Sequence, residues 1–145
     1  MKISTISTIL AALMAFSAPA MARDTKHMYP LDDALNTPAA QEKLNQGIKF
    51  YFGDKNLPAV AKDLGTYTAN KKTNAFGKSD KKACEWAFLS AMLSMQNRAV
   101  NEGGDAVIIH SYYKKNTVKS STEYECGAGA IMAGVTLVGK VVKLK

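Results

Sequence analysis

From Asp80 onward, apolar residues recur at intervals of three and four. Cys84, Ala87, Phe88, Ala91, Met92, Met95 and Ala99 form one stripe, and Trp86, Leu89, Leu93 and Val100 a second. Two stripes predict a long helix buried over much of its circumference, capped at its start by Ser79 or Asp80 and stopped by Gly103-Gly104, one of which takes the left-handed conformation. The methionines fit as gap-filling core residues. Immediately after the glycines, Ala106-Val107-Ile108-Ile109 is a continuous apolar run, the pattern of an interior strand, which becomes polar and aromatic at His110, Ser111, Tyr112 and Tyr113. Lys114-Lys115-Asn116 predicts a turn. A returning strand is expected from near Thr122 through Cys126 to about Leu137, with a bulge or kink at Gly139 before Val141-Val142. Its middle, residues 127–134, is rich in Gly and Ala, which leaves room for bulky helix side chains such as Trp86 and Phe88.

Ahead of the long helix, Ile48-Lys49-Phe50-Tyr51-Phe52 alternates so that Ile48, Phe50 and Phe52 share a face, which predicts a strand. A second strand is expected over residues 64–70, followed by a polar connection carrying Lys71, Lys72 and Lys78. Thr37-Pro38 has the form of an N-cap with proline in the first helical position, and that helix should stop before Gly47. Residues 30–35 suggest a helical turn, and residues 23–29 a loose arm. Together these elements predict an α+β fold over residues 48–145, an antiparallel sheet of about four strands packed on one long helix, preceded by an arm with a short helix over residues 23–47.

The first 22 residues have the form of a secretory signal: Lys2, an apolar stretch over residues 9–16, and an A-x-A cleavage site at Ala20-Met21-Ala22. Cleavage after Ala22 would deliver the domain to the periplasm or the medium. In an oxidising compartment the pair Cys84 and Cys126 is expected to form a disulfide. A thioredoxin-like redox site needs C-x-x-C, and these two cysteines are far apart in sequence. No second apolar stretch is long enough to span a membrane.

Nineteen Lys and Arg against twelve Asp and Glu give a net charge of +7, or +6 once Lys2 leaves with the signal. That sign favours anionic partners. Tyr112, Tyr113, Lys114, Lys115 and Lys119 gather around one hairpin end, a mixture of rings and cations that can hold anions, and this is the expected binding surface. The same residues also serve an ordinary solvated strand edge. Catalytic chemistry finds less support. Ser111 and His110 are neighbours on a strand and point to opposite faces. Glu123 and Glu125 share a face and offer the alternative of an enzyme acting on an envelope polymer, although lysines such as Lys114 and Lys115 are their simpler partners. His27 and His110, the two histidines, do not make a metal site with bridged cysteines, and no cofactor motif is present.

Ala99, Gly103-Gly104-Asp105-Ala106-Val107-Ile108 and, downstream, Gly139-Lys140-Val141-Val142-Lys143 together resemble the closing helix-strand-strand of the YbjQ-like family. The same unit resembles the signalling domain of the outer-membrane Rcs stress-sensor lipoprotein, in which cysteines brace a similar α/β unit. The lipid-bearing cysteine of that sensor has no counterpart here. Over nearly its whole length the chain looks like short exported bacterial proteins labelled "excinuclease ATPase subunit". The residues do not support the activity in that label. Gly134 to Lys140 fits G-x-x-x-x-G-K, but Val141 stands where a magnesium-binding hydroxyl is needed, and the segment after it has a strand pattern rather than a helix that would face phosphates. The expectation is therefore an exported, non-enzymatic interaction protein that binds an anionic envelope component and not ATP.

Overall fold

The computed structural model describes residues 23–145; the expected signal segment and its cleavage site lie outside the described residues. The chain runs β1 (Thr25–Pro30), α1 (Leu31–Leu35), α2 (Pro38–Lys43), β2 (Lys49–Phe52), β3 (Val60–Asn74), α3 (Asp80–Asn101), β4 (Ala106–Tyr113), β5 (Asn116–Val118), β6 (Glu123–Ala128) and β7 (Met132–Leu144). The fold is α+β, with one long helix packed on a curled sheet. That sheet has seven strands and is mixed, against the expected antiparallel sheet of about four.

The helices obey their end signals. Thr37 caps α2 by accepting from the Ala40 N–H at 3.2 Å, and Ser79 caps α3 by accepting from the Lys82 N–H at 3.2 Å. At the far end of α3 the Gly103 N–H donates to the Val100 carbonyl and the Gly104 N–H to the Ala99 carbonyl, with Gly103 at φ +72°. This is the Schellman arrangement, which satisfies carbonyls that a helix end otherwise leaves free. The first apolar stripe of α3 is fully buried. Of the second, Leu89 is buried, but Trp86 and Val100 are 40% and 48% exposed. The sheet therefore covers one broad face of the helix. Phe88, not Trp86, makes the close aromatic contact with it, its ring centroid 4.4 Å from that of Tyr124.

β7 is the spine of the sheet. It pairs antiparallel with β3 along its whole length, so its other edge must be shared, first by β6 and then by β4. β1 extends the sheet beyond β6. β2 lies parallel to β4, the two being joined in sequence through β3 and α3, and β5 continues as a hairpin from β4. Ala133, Val135, Leu137 and Val141 alternate onto the helix side with Val107, Ile109, Tyr124, Cys126 and Ala128, forming the main core. A smaller cluster of Ala106, Ile108 and Val142, with Tyr51, Val60 and Leu144 against it, covers part of the opposite face.

Four local expectations are corrected. Residues 25–30 are a strand, not a loose arm, because β6 supplies a partner about 100 positions downstream. The second strand extends over residues 60–74, with register shifts near Gly65. The returning strand is two strands, β6 and β7, reversed at a tight turn where the Gly129 N–H donates to the Met132 carbonyl at 2.8 Å. Gly139 makes no bulge: it pairs in register with Tyr67 and Ile109. It is glycine because a Cβ there would come within 2.7 Å of both Met95 Sδ and Val107 Cγ1, so the helix rests on bare backbone.

The disulfide is formed, joining Cys84 in the first turns of α3 to Cys126 on β6 with Cα atoms 5.9 Å apart. Closing a loop of this length stabilises the fold by about 4 kcal/mol in the chain-entropy model. β3 pairs with β7 only, so among the described residues its other edge carries no partner strand.

Candidate functional site

The β4–β5 hairpin turns at Lys114 and Lys115, with Tyr113 opposite Asn116. Both lysines have positive φ, 46° and 67°, as a two-residue type I′ turn requires. Tyr113 Oη donates to the Asp24 carboxylate at 2.7 Å, and Lys114 Nζ lies 2.8 Å from the same carboxylate and 5.1 Å from the Tyr113 ring centroid. Hydrogen bonds from Lys114 and then Tyr113 hold the Asp24 carboxyl below the ordinary carboxylate range, while burial and then Asp24 push the Tyr113 hydroxyl up.

Tyr113 and Lys114 form one wall of an open groove of about 690 Å³. Its floor is the strip where Gly127 pairs with Gly134, and its other walls include Arg23, Lys72, Ile131 and Met132. Gly127 and the neighbouring Gly129 have no room for a side chain. A Cβ on Gly127 would fall 2.8 Å from Tyr113 Oη, and one on Gly129 would fall 2.7 Å from the Arg23 carbonyl oxygen. The segment rich in Gly and Ala thus receives Arg23 and the Tyr113 ring at its glycines, while Ala128 and Ala133 are buried in the core with Phe88, as expected; Trp86 is not packed there but 40% exposed.

The other predicted surface residues separate. Lys119 lies on a different notch of about 270 Å³, with Thr66, His110 and Lys140. Burial and then the positive charges of Lys119 and Lys140 lower the His110 pKa, so the ring is neutral at neutral pH; its Nδ1 is buried without a hydrogen-bond partner among the described residues. Tyr112 and Lys115 line neither cavity. Of the loop lysines, Lys72 joins Tyr113 and Lys114 at the groove, whereas Lys71 lines a cleft of about 520 Å³ between β3 and α3, where the Arg98 guanidinium sits 4.4 Å over the Tyr67 ring.

Glu123 is exposed and Glu125 is buried, and neither lines these cavities. Glu125 lies 3.7 Å from Lys26 of β1, not from the hairpin lysines, and its backbone N–H donates to Ser111 Oγ at 3.0 Å. Ser111 is turned inward and His110 outward, so the two do not meet. Among the described residues no group of three His, Cys, Asp or Glu side chains converges as a metal site would need, and no helix is long and apolar enough to cross a membrane.

The charged cluster at the start of α3 had no sequence signal. Arg23 donates two hydrogen bonds to Asp80, at 2.7 and 2.9 Å, and His27 Nε2 lies 2.9 Å from the same carboxylate. Arg23 first, then His27, holds the Asp80 carboxyl far below the ordinary range, and its negative charge at the first helical position suits the helix dipole. These contacts span more than fifty positions of sequence and become readable only once β1 is known to pair with β6.

The fold and groove define a disulfide-braced α+β domain with an open, mixed apolar and basic surface. No family model matches the chain, and no curated protein or solved structure matches it either.

Proposed function

We propose that this is a non-enzymatic binding protein of the cell envelope or the medium, and that it holds an anionic envelope component along the groove between the β4–β5 hairpin and β3. The observation that carries this reading is the convergence of Tyr113, Lys114, Lys72 and Arg23 around a glycine floor, which brings one ring, three cations against the single carboxylate of Asp24, and exposed backbone to one open surface. A disulfide between elements distant in sequence suits an oxidising location outside the cytoplasm. The groove is open, as a site that lies against an extended partner must be.

The test is binding to a soluble anionic polysaccharide at two salt concentrations. Affinity is expected to fall as salt rises, and Lys72→Ala with Lys114→Ala to weaken it about thirtyfold, since each exposed cation near an anionic surface contributes about 1 kcal/mol. Lys115→Ala, outside the groove, should do less. Binding indifferent to both salt and the groove lysines would overturn the proposal.

A further inference from the structure

Three large apolar side chains stand out at one end of the molecule. Phe76 is 76% exposed, Ile131 67% and Met132 50%. Phe76 comes from the β3–α3 turn, Ile131 from the β6–β7 turn and Met132 from the start of β7, which the sheet holds side by side: the Ala75 N–H donates to the Ile131 carbonyl at 2.7 Å, and Asn74 pairs with Met132. The β3–α3 turn is itself fixed, with Asn74 Oδ1 accepting from the Phe76 N–H at 2.8 Å, Lys78 Nζ donating to the Asn74 carbonyl at 2.9 Å, and Gly77 at φ +73°. Phe76 is therefore presented on a built turn. Exposed apolar side chains gathered in this way mark an interaction site more often than scattered ones do.

Cations surround the tip. Lys78 lies two residues beyond Phe76, and Lys72 stands on the groove that Ile131 and Met132 also line. Asp24, which lines the same groove, and Asp80, at the start of α3, are each occupied, by Lys114 with Tyr113 and by Arg23 with His27. Lys72 and Lys78 have no acidic partner within ion-pair distance among the described residues. From apolar side chains at the tips of two turns and uncompensated lysines behind them, we infer that this end docks on the surface of an anionic lipid bilayer, with Phe76, Ile131 and Met132 entering the boundary between headgroups and acyl chains. A second copy of the chain is a poor occupant, because it would bring the same uncompensated lysines to the contact. The inference rests on the anionic-component reading and names the lipid surface as that component.

The experiment is co-sedimentation of the protein with vesicles of phosphatidylcholine alone and of phosphatidylcholine with phosphatidylglycerol, beside the polysaccharide assay. Binding to the mixed vesicles is expected, with little to the neutral ones. Phe76→Ser, a change outside the groove, should reduce it about tenfold or more, because the lost contacts are those that leave water on docking. Phe76 is exposed in the free protein and does not line the groove, so the variant should keep its fold and its polysaccharide binding. A Phe76→Trp protein in a Trp86→Phe background should show a blue shift of fluorescence with mixed vesicles only. Vesicle binding unchanged in Phe76→Ser, or absent while polysaccharide binding persists, would overturn the membrane inference and leave the groove reading standing. Loss of both kinds of binding in the unmodified protein would overturn both.

Discussion

Lysine is an uncommon choice at Lys114 and Lys115. A left-handed backbone costs a side-chain-bearing residue roughly 1 kcal/mol or more relative to glycine, and a type I′ turn demands that conformation twice. Lys114 has a local return in the Asp24 ion pair and the Tyr113 ring; Lys115 makes no ion pair among the described residues. Lys115→Gly should therefore stabilise the protein by about 1 kcal/mol, seen as a higher urea midpoint at unchanged slope, and an unchanged or lower midpoint would show that the turn is not strained. Legibility at this scale was uneven. The buried stripe of α3 and the Cys84–Cys126 pair could be read because periodicity and parity carry them. Gly139 was misread because its reason, the approach of Met95 and Val107, lies in other elements.

Among the elements, α3 depends most on its N-terminal surroundings, where Ser79 caps, Cys84 is bridged and Asp80 gathers Arg23 and His27. Because the folded Asp80 carboxyl is held below its ordinary value of 3.8, its contribution to stability is fully present above that pH and is lost as pH falls toward the folded value. The stability gap between the protein and its Asp80→Asn variant should thus be widest near neutrality and close as pH drops below about 4. Urea midpoints measured from pH 7 downward test this, and a gap independent of pH would remove Asp80 from the account. The helices were legible because caps and prolines are local signals. The strands were less so: β1 is polar and short, β5 has three residues, and the β6–β7 turn, Gly129-Ala130-Ile131, lacks the Asn-Gly or Pro that usually announces one.

For the whole molecule, the α+β class and the helix-on-sheet layering followed from sequence, but the strand count and order did not. β7 meets three other strands along its two edges, and only pairing across long sequence separations reveals that it is the spine. The same limit applied to the candidate surface. The hairpin was identified from its rings and lysines, whereas Arg23, Asp24, Lys72 and the glycine floor joined it only through the sheet.

The sheet curls without closing, which among the described residues leaves the fifteen-residue β3 paired on one side only. An open edge of that length is a template on which another chain can add a strand, so colloidal behaviour depends on what guards it. The guards are the register shifts near Gly65 and the paired charges of Lys71 and Lys72. Replacing both lysines with threonine keeps the strand propensity and removes the repulsion. Concentrated solutions of that variant should scatter light and develop fibres on standing, while the parent protein stays clear; equal clarity in both would place the protection in the bulged segment instead. Lys72 would then have two duties in one residue, holding a ligand on one face of the sheet and keeping copies of the protein apart along its rim.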